Sequence, residues 1–244
     1  MKIIILAAGY ATRLYPLTLN TPKPLLLLAG KPMLERLLEH LRGVNSNQAY
    51  LITNAKFAGT FEQWLGSYKD APFPIKILND GSMDESSKLG AIGDIGFVIE
   101  KENIEDDVMV VAGDNLFADS IKEFPEYGKN TEAPVVGITR ARSLDEVKRM
   151  SSVKINIEEQ ITFFEEKPTQ PEDTLISVAL YFYPKKVLPK ISEYLKEGNN
   201  PDQPGRLIEW LYKKMPVHTW QIPAPWVDVG TPESITLAEE YLKN

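Results

Sequence analysis

The chain has 244 residues, 43% hydrophobic and 25% charged, so it is long and apolar enough to bury a sizeable core. Its formal charge of −7 speaks against a nucleic-acid partner, which needs a clustered positive surface, but a few cations in a cleft suffice for one triphosphate. Cysteine is absent, which excludes disulfides and thiolate metal sites and fits a cytoplasmic location. No stretch approaches the ~20 apolar residues that span a bilayer, so a soluble protein without a membrane partner is expected.

In chain order, Ile3–Ala7 reads as a buried strand ending at Gly9. Met33–Leu41 carries apolar residues at helical spacing, with Glu35, Arg36 and Glu39 opposite. Ala49–Thr53 predicts a strand, Phe57–Leu65 a short helix, and Ile75–Leu78 a third strand closed by the turn Asn79-Asp80-Gly81. Leu89–Lys101 predicts a helix and Val108–Ala112 a strand before Gly113-Asp114-Asn115. Val135–Thr139 follows as a strand, then a hairpin from Val153–Asn156 and Ile161–Phe164, then the strand Ile176–Tyr183. Helices are expected over Val187–Lys196 and Leu207–Lys214, with a strand at Val217–Ile222. Pro232–Leu242 closes the chain as a helix capped by Thr231, with proline at its first position. The β-α alternation of the first half predicts an α/β fold with a doubly wound, mostly parallel, Rossmann-like sheet and helices on both faces. The second half adds a small antiparallel extension. One domain over 1–244 is the simplest organisation.

The loop after the first strand is Ala8-Gly9-Tyr10-Ala11-Thr12-Arg13-Leu14, followed by Thr21-Pro22-Lys23-Pro24. Ligands of open α/β sheets sit beyond the carboxyl ends of strands, where a loop of small residues lets backbone N–H groups approach phosphates. Arg13 adds a fork of donors, and Lys23 a second cation stiffened between prolines. Neither G-x-G-x-x-G nor a P-loop occurs, and an ordinary surface turn stays open as the bland alternative. Asp114 follows a strand end and a glycine that leaves room, a place suited to Mg²⁺. Asp228 is the second candidate, because Mg²⁺ takes one or two carboxylates with phosphate oxygens and water. A turn or capping role is the bland reading of each. In the segment Lys88–Asp94, Gly90 would admit a flat nucleobase, with Asn79, Asp80 or backbone groups reading its edge.

The string LAAGYATRLYPLTLNTPKPLL resembles the signature of the sugar-phosphate nucleotidyltransferase family, the glucose-1-phosphate thymidylyltransferase-like enzymes. Further matches are G-D-N at Gly113–Asn115, E-E-K-P at Glu165–Pro168, and W-V-D-V-G-T-P-E-S from Trp226. The resemblance implies transfer of a nucleoside monophosphate from a nucleoside triphosphate to a sugar 1-phosphate, with release of pyrophosphate. It implies a nucleotide loop holding Ala8, Gly9 and Thr12, catalytic cations Arg13, Lys23 and Lys167, and a Mg²⁺ cofactor on Asp114 and Asp228. It also implies that Glu166 receives sugar hydroxyls while Lys167 binds the sugar phosphate. The family's Y-G-V-V appears here as Met150-Ser151-Ser152-Val153, and its T-G-x-Y as Val178-Ala179-Leu180-Tyr181. Ser151 and Val178 are therefore the expected points of altered acceptor fit. Ala11 replaces the loop's second glycine and is expected to avoid the left-handed backbone region.

The acceptor stays open to phosphocholine or a similar phosphorylated alcohol, as in a cytidylyltransferase. A non-catalytic nucleotide-sugar sensor of the same fold is the binding-protein alternative. A nicotinamide-dependent dehydrogenase lacks its glycine fingerprint. His40 and His218 have no partner motif and read as structural. Homo-oligomerisation stays open, and the chain's end soon after its last motif leads to no expectation of an appended acyltransferase-type domain.

Overall fold

The computed structural model describes residues 1–223 and 225–242. In chain order the elements are β1 (Lys2–Leu6), β2 (Leu27–Leu28), β3 (Lys31–Pro32), α1 (Met33–His40), β4 (Gln48–Thr53), α2 (Ala58–Ser67) and β5 (Ile75–Asn79). Then come α3 (Ala91–Lys101), β6 (Val108–Ala112), β7 (Asn115–Phe117), α4 (Glu123–Thr131), β8 (Val135–Arg140) and α5 (Leu144–Val147). The remainder is β9 (Ser151–Ile155), β10 (Ile161–Glu166), β11 (Leu175–Tyr183), α6 (Leu188–Lys196), α7 (Gly205–Leu211), β12 (His218–Gln221), β13 (Trp226–Asp228) and α8 (Pro232–Tyr241). The class is the expected α/β one: a mostly parallel, Rossmann-like sheet with helices around it and small antiparallel ribbons. Internal contacts divide the chain into two compact units, one of residues 1–89, 111–122 and 223–244, the other of 90–110 and 123–222.

In the first unit β1, β4 and β5 run parallel in register, Ile4 opposite Tyr50 and Leu51 opposite Ile77. β1 carries the apolar run Ile3–Leu6 after Lys2, and Ile3, Ile4 and Ile5 are fully buried, as a strand covered on both faces requires. α1 buries Met33, Leu34, Leu37 and Leu38, a single helical stripe. The Trp64 indole of α2 donates to Glu35 Oε1 at 3.0 Å, tying the two helices together. A second cluster joins Leu28, Met33, Leu116, Val227, Val229 and Ala238, which seats the antiparallel β7–β13 ribbon between β2 and α8. Thr231 caps α8 as expected, and Ser234 returns the bond to complete a capping box.

In the second unit β12 runs parallel to β8, while β11 is antiparallel to it. β9 and β10 form the expected hairpin, with Glu166 opposite Ser151. α4 did not register in the sequence, because Pro125 and Gly128 both lower helical expectation. Pro125 sits in the first turn, where no backbone donor is needed. Gly128 is required because a Cβ there would run into the Phe182 ring of β11.

Candidate active site

The chain leaves β1 through Ala7, whose N–H bonds Ile52 O, and the buried Asn54 Nδ2 donates to Ala8 O at 2.9 Å. These bonds anchor the base of the loop. A Cβ on Gly9 would meet nothing within 4 Å, so the loop is open on that side. Ala11 corrects the sequence expectation: it adopts the left-handed region, at φ 48° and ψ 44°. An L-residue loses roughly 1–2 kcal/mol there. The bonds that hold it are Leu14 N–H and the buried Thr18 hydroxyl, both donating to Ala11 O, the latter at 2.8 Å. The chain then makes a 3₁₀ turn over Thr12–Leu14, in which Leu14 is buried while Thr12 and Arg13 are exposed.

Lys23 begins a second 3₁₀ turn set by Pro22 and Pro24, and it is only 8% exposed. Its Nζ lies 2.6 Å from Asp114 Oδ2 and 3.7 Å from Asp228 Oδ1. Asp114 is placed by Gly113, whose missing side chain lets Leu6 O and Pro24 come within 3.2 Å of the Cβ position. Asp228 ends β13 opposite Asn115 of β7, and the Trp226 indole donates to Asn115 Oδ1 at 3.3 Å. Arg13 Nη2 and Asp228 Oδ2 flank Gly230, 3.7 Å and 3.2 Å from its Cβ position. Four side chains spread over more than two hundred positions thus converge: Arg13, Lys23, Asp114 and Asp228.

Their charges perturb one another. Burial presses the Lys23 ammonium toward neutrality, but Asp114 and then Asp228 outweigh it and hold its pKa above the ordinary lysine value. The Asp228 side chain is 44% exposed, yet the protein packed about its carboxyl, and next the Asp114 carboxylate, push its pKa up against Lys23 and Arg13. A pair of carboxylates sharing a single ammonium suits a hard divalent cation that keeps phosphate and water ligands. The Lys23 ammonium is a stand-in cation at that place, so the residues fit Mg²⁺. Among the described residues no group of three or more His, Cys, Asp or Glu is arranged for a metal.

Beyond β5, Asn79 Oδ1 accepts from Gly81 N–H at 2.8 Å, and Asp80 Oδ1 accepts from the Ser82 N–H and hydroxyl, each at 2.7 Å. The buried Tyr10 hydroxyl donates to Ser82 Oγ at 3.4 Å, linking the Gly9 loop to this turn. Asn79 and Asp80 thus shape the turn with their side chains.

In the second unit, Gly90 has φ 79°, and a Cβ there would lie 2.6 Å from Pro201 O and 2.8 Å from Asp202 Cα. The space that a side chain at Gly90 would need is thus taken by the Pro201–Asp202 backbone. Ile92 N–H donates to Pro201 O at 2.8 Å and Ala91 N–H to Asp202 O at 3.2 Å, so this loop satisfies the first donors of α3. The next turn of the same loop reaches Glu166: a Cβ on Gly205 would collide with Glu166 Oε2. Glu166 ends β10, and its pKa is pushed up to about 7, by burial first, with Lys167 and then Arg206 opposing and Glu209 reinforcing. Arg206 Nε donates to Gln203 Oε1 at 2.7 Å. Lys167 is exposed, leaves the hairpin at φ 54°, and donates its N–H to Met150 O at 2.7 Å.

Ser151 and Val178 are each 1% exposed, so neither side chain faces solvent. Ser151 Oγ lies 2.8 Å from Ser177 Oγ and accepts from Ser177 N–H at 2.9 Å. Val178 and Ala179 sit where the β11–β8 register slips, between Ser177 and Tyr181. The sequence reading passed over Arg206, Thr18 and Asn54. A cation directly after the glycine of Pro201–Gly205 was a usable signal for Arg206; the two buried polar anchors had none. His218 approaches Gln160 and His40 sits half-buried on α1, consistent with structural roles.

The sequence model of the Nucleotidyl transferase family matches residues 2–244, and the chain belongs to that family. The bifunctional protein GlmU of Methanocaldococcus jannaschii is 30% identical over 99% of this chain and 54% of its own length. The glucose-1-phosphate thymidylyltransferase of Neisseria meningitidis is 29% identical over 100% of this chain and 83% of its own. A crystal structure of UDP-glucose pyrophosphorylase with UDP-glucose superposes at a TM-score of 0.82 and 19% identity, covering 100% and 99% of the two chains, a likeness of fold. The chain spans about half the length of the GlmU relative. No helix among the described residues is long and apolar enough to cross a membrane.

Proposed function

We propose that residues 1–244 act as one Mg²⁺-dependent nucleotidyltransferase domain that joins a nucleoside monophosphate to a sugar 1-phosphate and releases pyrophosphate. The convergence of Arg13 and Lys23 on Asp114 and Asp228, beside the open Gly9 loop, carries this reading. The reaction is a single in-line displacement. An oxygen of the acceptor phosphate attacks the α-phosphorus, the bond from that phosphorus to its bridging oxygen breaks, and the electron pair leaves on pyrophosphate. The nucleophile is already an anion, so no general base is required, and catalysis rests on positioning and charge neutralisation.

Backbone N–H groups of the Ala8–Thr12 loop receive the triphosphate. Arg13 and Lys23 neutralise the leaving pyrophosphate, and Lys167 holds the acceptor phosphate. Glu166 accepts sugar hydroxyls as a carboxylate. Asp114 and Asp228 would hold Mg²⁺, which would supply charge stabilisation at the phosphate oxygens. Asn79 and Asp80 border the base, and the turn they build is the surface that reads it. The acid pair Glu166 and Glu209 would also suit a cationic head group, which keeps phosphocholine as a second acceptor.

A matrix of nucleoside triphosphates against sugar 1-phosphates and phosphocholine, with Mg²⁺ or chelator and scored by pyrophosphate, tests the proposal. Release that depends on one triphosphate, one acceptor and Mg²⁺ is the expected outcome. Binding of a finished nucleotide sugar with no release from any pair would instead make the chain a sensor.

A further inference from the structure

Lys23 is an unusual phosphate-binding lysine, because in the free protein its ammonium is already engaged. It is nearly buried, is in contact with Asp114 and lies within ion-pair distance of Asp228. Its backbone is held by the 3₁₀ turn between Pro22 and Pro24, so the ammonium is directed by a stiff segment. Two carboxylates brought this close repel unless a cation sits with them. Arg13, at Gly230, is the other positive group acting on Asp228.

We propose that Lys23 is a resident counter-ion of the Asp114–Asp228 pair, holding in the free protein the place that a divalent cation takes, and that it becomes available to a triphosphate only when that cation displaces it. The inference rests on the nucleotidyltransferase reading of the site, and it adds an order of events. Cation binding by the free protein is weakened by competition with Lys23, and a cation and a triphosphate arriving together relieve each other: the cation frees the ammonium, and the phosphates receive it. Cation and nucleotide therefore bind cooperatively, by the ordinary reciprocity of linked sites.

The test uses Mn²⁺ alone, with no nucleotide, and counts free Mn²⁺ by electron paramagnetic resonance. Lys23→Met removes the charge and keeps an apolar stem. It should bind Mn²⁺ roughly tenfold or more tighter than the wild type, since one competing unit charge a few ångströms from both carboxylates is gone. Adding Asp114→Asn to that variant should abolish the gain. Equal or weaker Mn²⁺ binding by Lys23→Met overturns the proposal, and so does absence of Mn²⁺ binding in both proteins.

A measurement on the wild type keeps the idea testable if Lys23→Met does not fold. Acylation of Lys23 by an amine-reactive ester, followed by mass spectrometry, should rise in step with Mn²⁺ saturation. Unchanged labelling at saturating Mn²⁺ contradicts displacement. Neither readout depends on turnover. A chain that passes both yet releases no pyrophosphate loses the reaction assignment and keeps the exchange, whereas an active chain that fails both keeps the reaction alone.

Discussion

Ala11 and Glu166 show how single residues at this site are held in states they would not choose alone. Ala11 occupies a left-handed conformation that only glycine enters freely, so Ala11→Gly relieves strain while adding freedom to the unfolded chain. The net result should lie between no change and about 1 kcal/mol of added stability by denaturant titration, and a clear loss would show that this backbone reading is wrong. The sequence pointed the other way, because an alanine in place of glycine normally reports a right-handed or extended position. What it could not show was Thr18, seven residues on, folding back onto Ala11 O.

Glu166 is displaced in the opposite sense, from an ordinary 4.5 to about 7. Between those values the folded chain keeps a proton that the unfolded chain has lost. Stability is thus fully present below the lower value and falls as pH rises through the upper one. Glu166→Gln, neutral throughout, should match the wild type near pH 4 and exceed it at pH 8 by up to about 3 kcal/mol. The same variant should weaken acceptor binding. Denaturation midpoints that differ equally at both pH values would remove burial of the charge as the cause.

At the scale of elements, helices with a clear apolar stripe and strands with an unbroken apolar run were legible, whereas α4, with Pro125 and Gly128 inside it, was not. β1, β4, β6, β11, α1, α3 and α6 stand within a few residues of their expected bounds. The β7–β13 ribbon was not legible: three residues a side carry no period, and its partners lie more than a hundred positions apart. That ribbon sets Asp228 near Asp114, so the pairing of the two aspartates was expected from the resemblance alone, while the element that brings them together was not. Gly90 is a comparable case, since the sequence marked it as special but not what crowds it. Gly90→Ala brings a methyl against the Pro201–Asp202 backbone at a positive φ. A loss of about 2–4 kcal/mol is expected by chemical denaturation. A variant as stable as the wild type would mean that the 201–205 loop is not packed on the start of α3.

For the whole molecule, a net charge of −7 leaves the binding of anionic substrates to a few placed cations, which the proposal names as Arg13, Lys23 and Lys167. The roles assigned to them separate kinetically. Lys167→Ala should raise KM for the acceptor about tenfold or more with KM for the nucleotide within about threefold, because it removes one ion pair from one substrate. Arg13→Ala should lower kcat by about a hundredfold, as loss of a donor to developing charge does elsewhere. Equal binding losses for both substrates in either variant would contradict the division of labour.

The central claim concerns which phosphorus is attacked, and positional labelling reads that directly. With a nucleoside triphosphate carrying ³²P at the α position and an accepted sugar 1-phosphate, the label should appear wholly in the nucleotide-sugar product, and label at the β or γ position wholly in pyrophosphate. Transfer of γ label to the sugar phosphate, or α label recovered only as free nucleotide, would contradict the account.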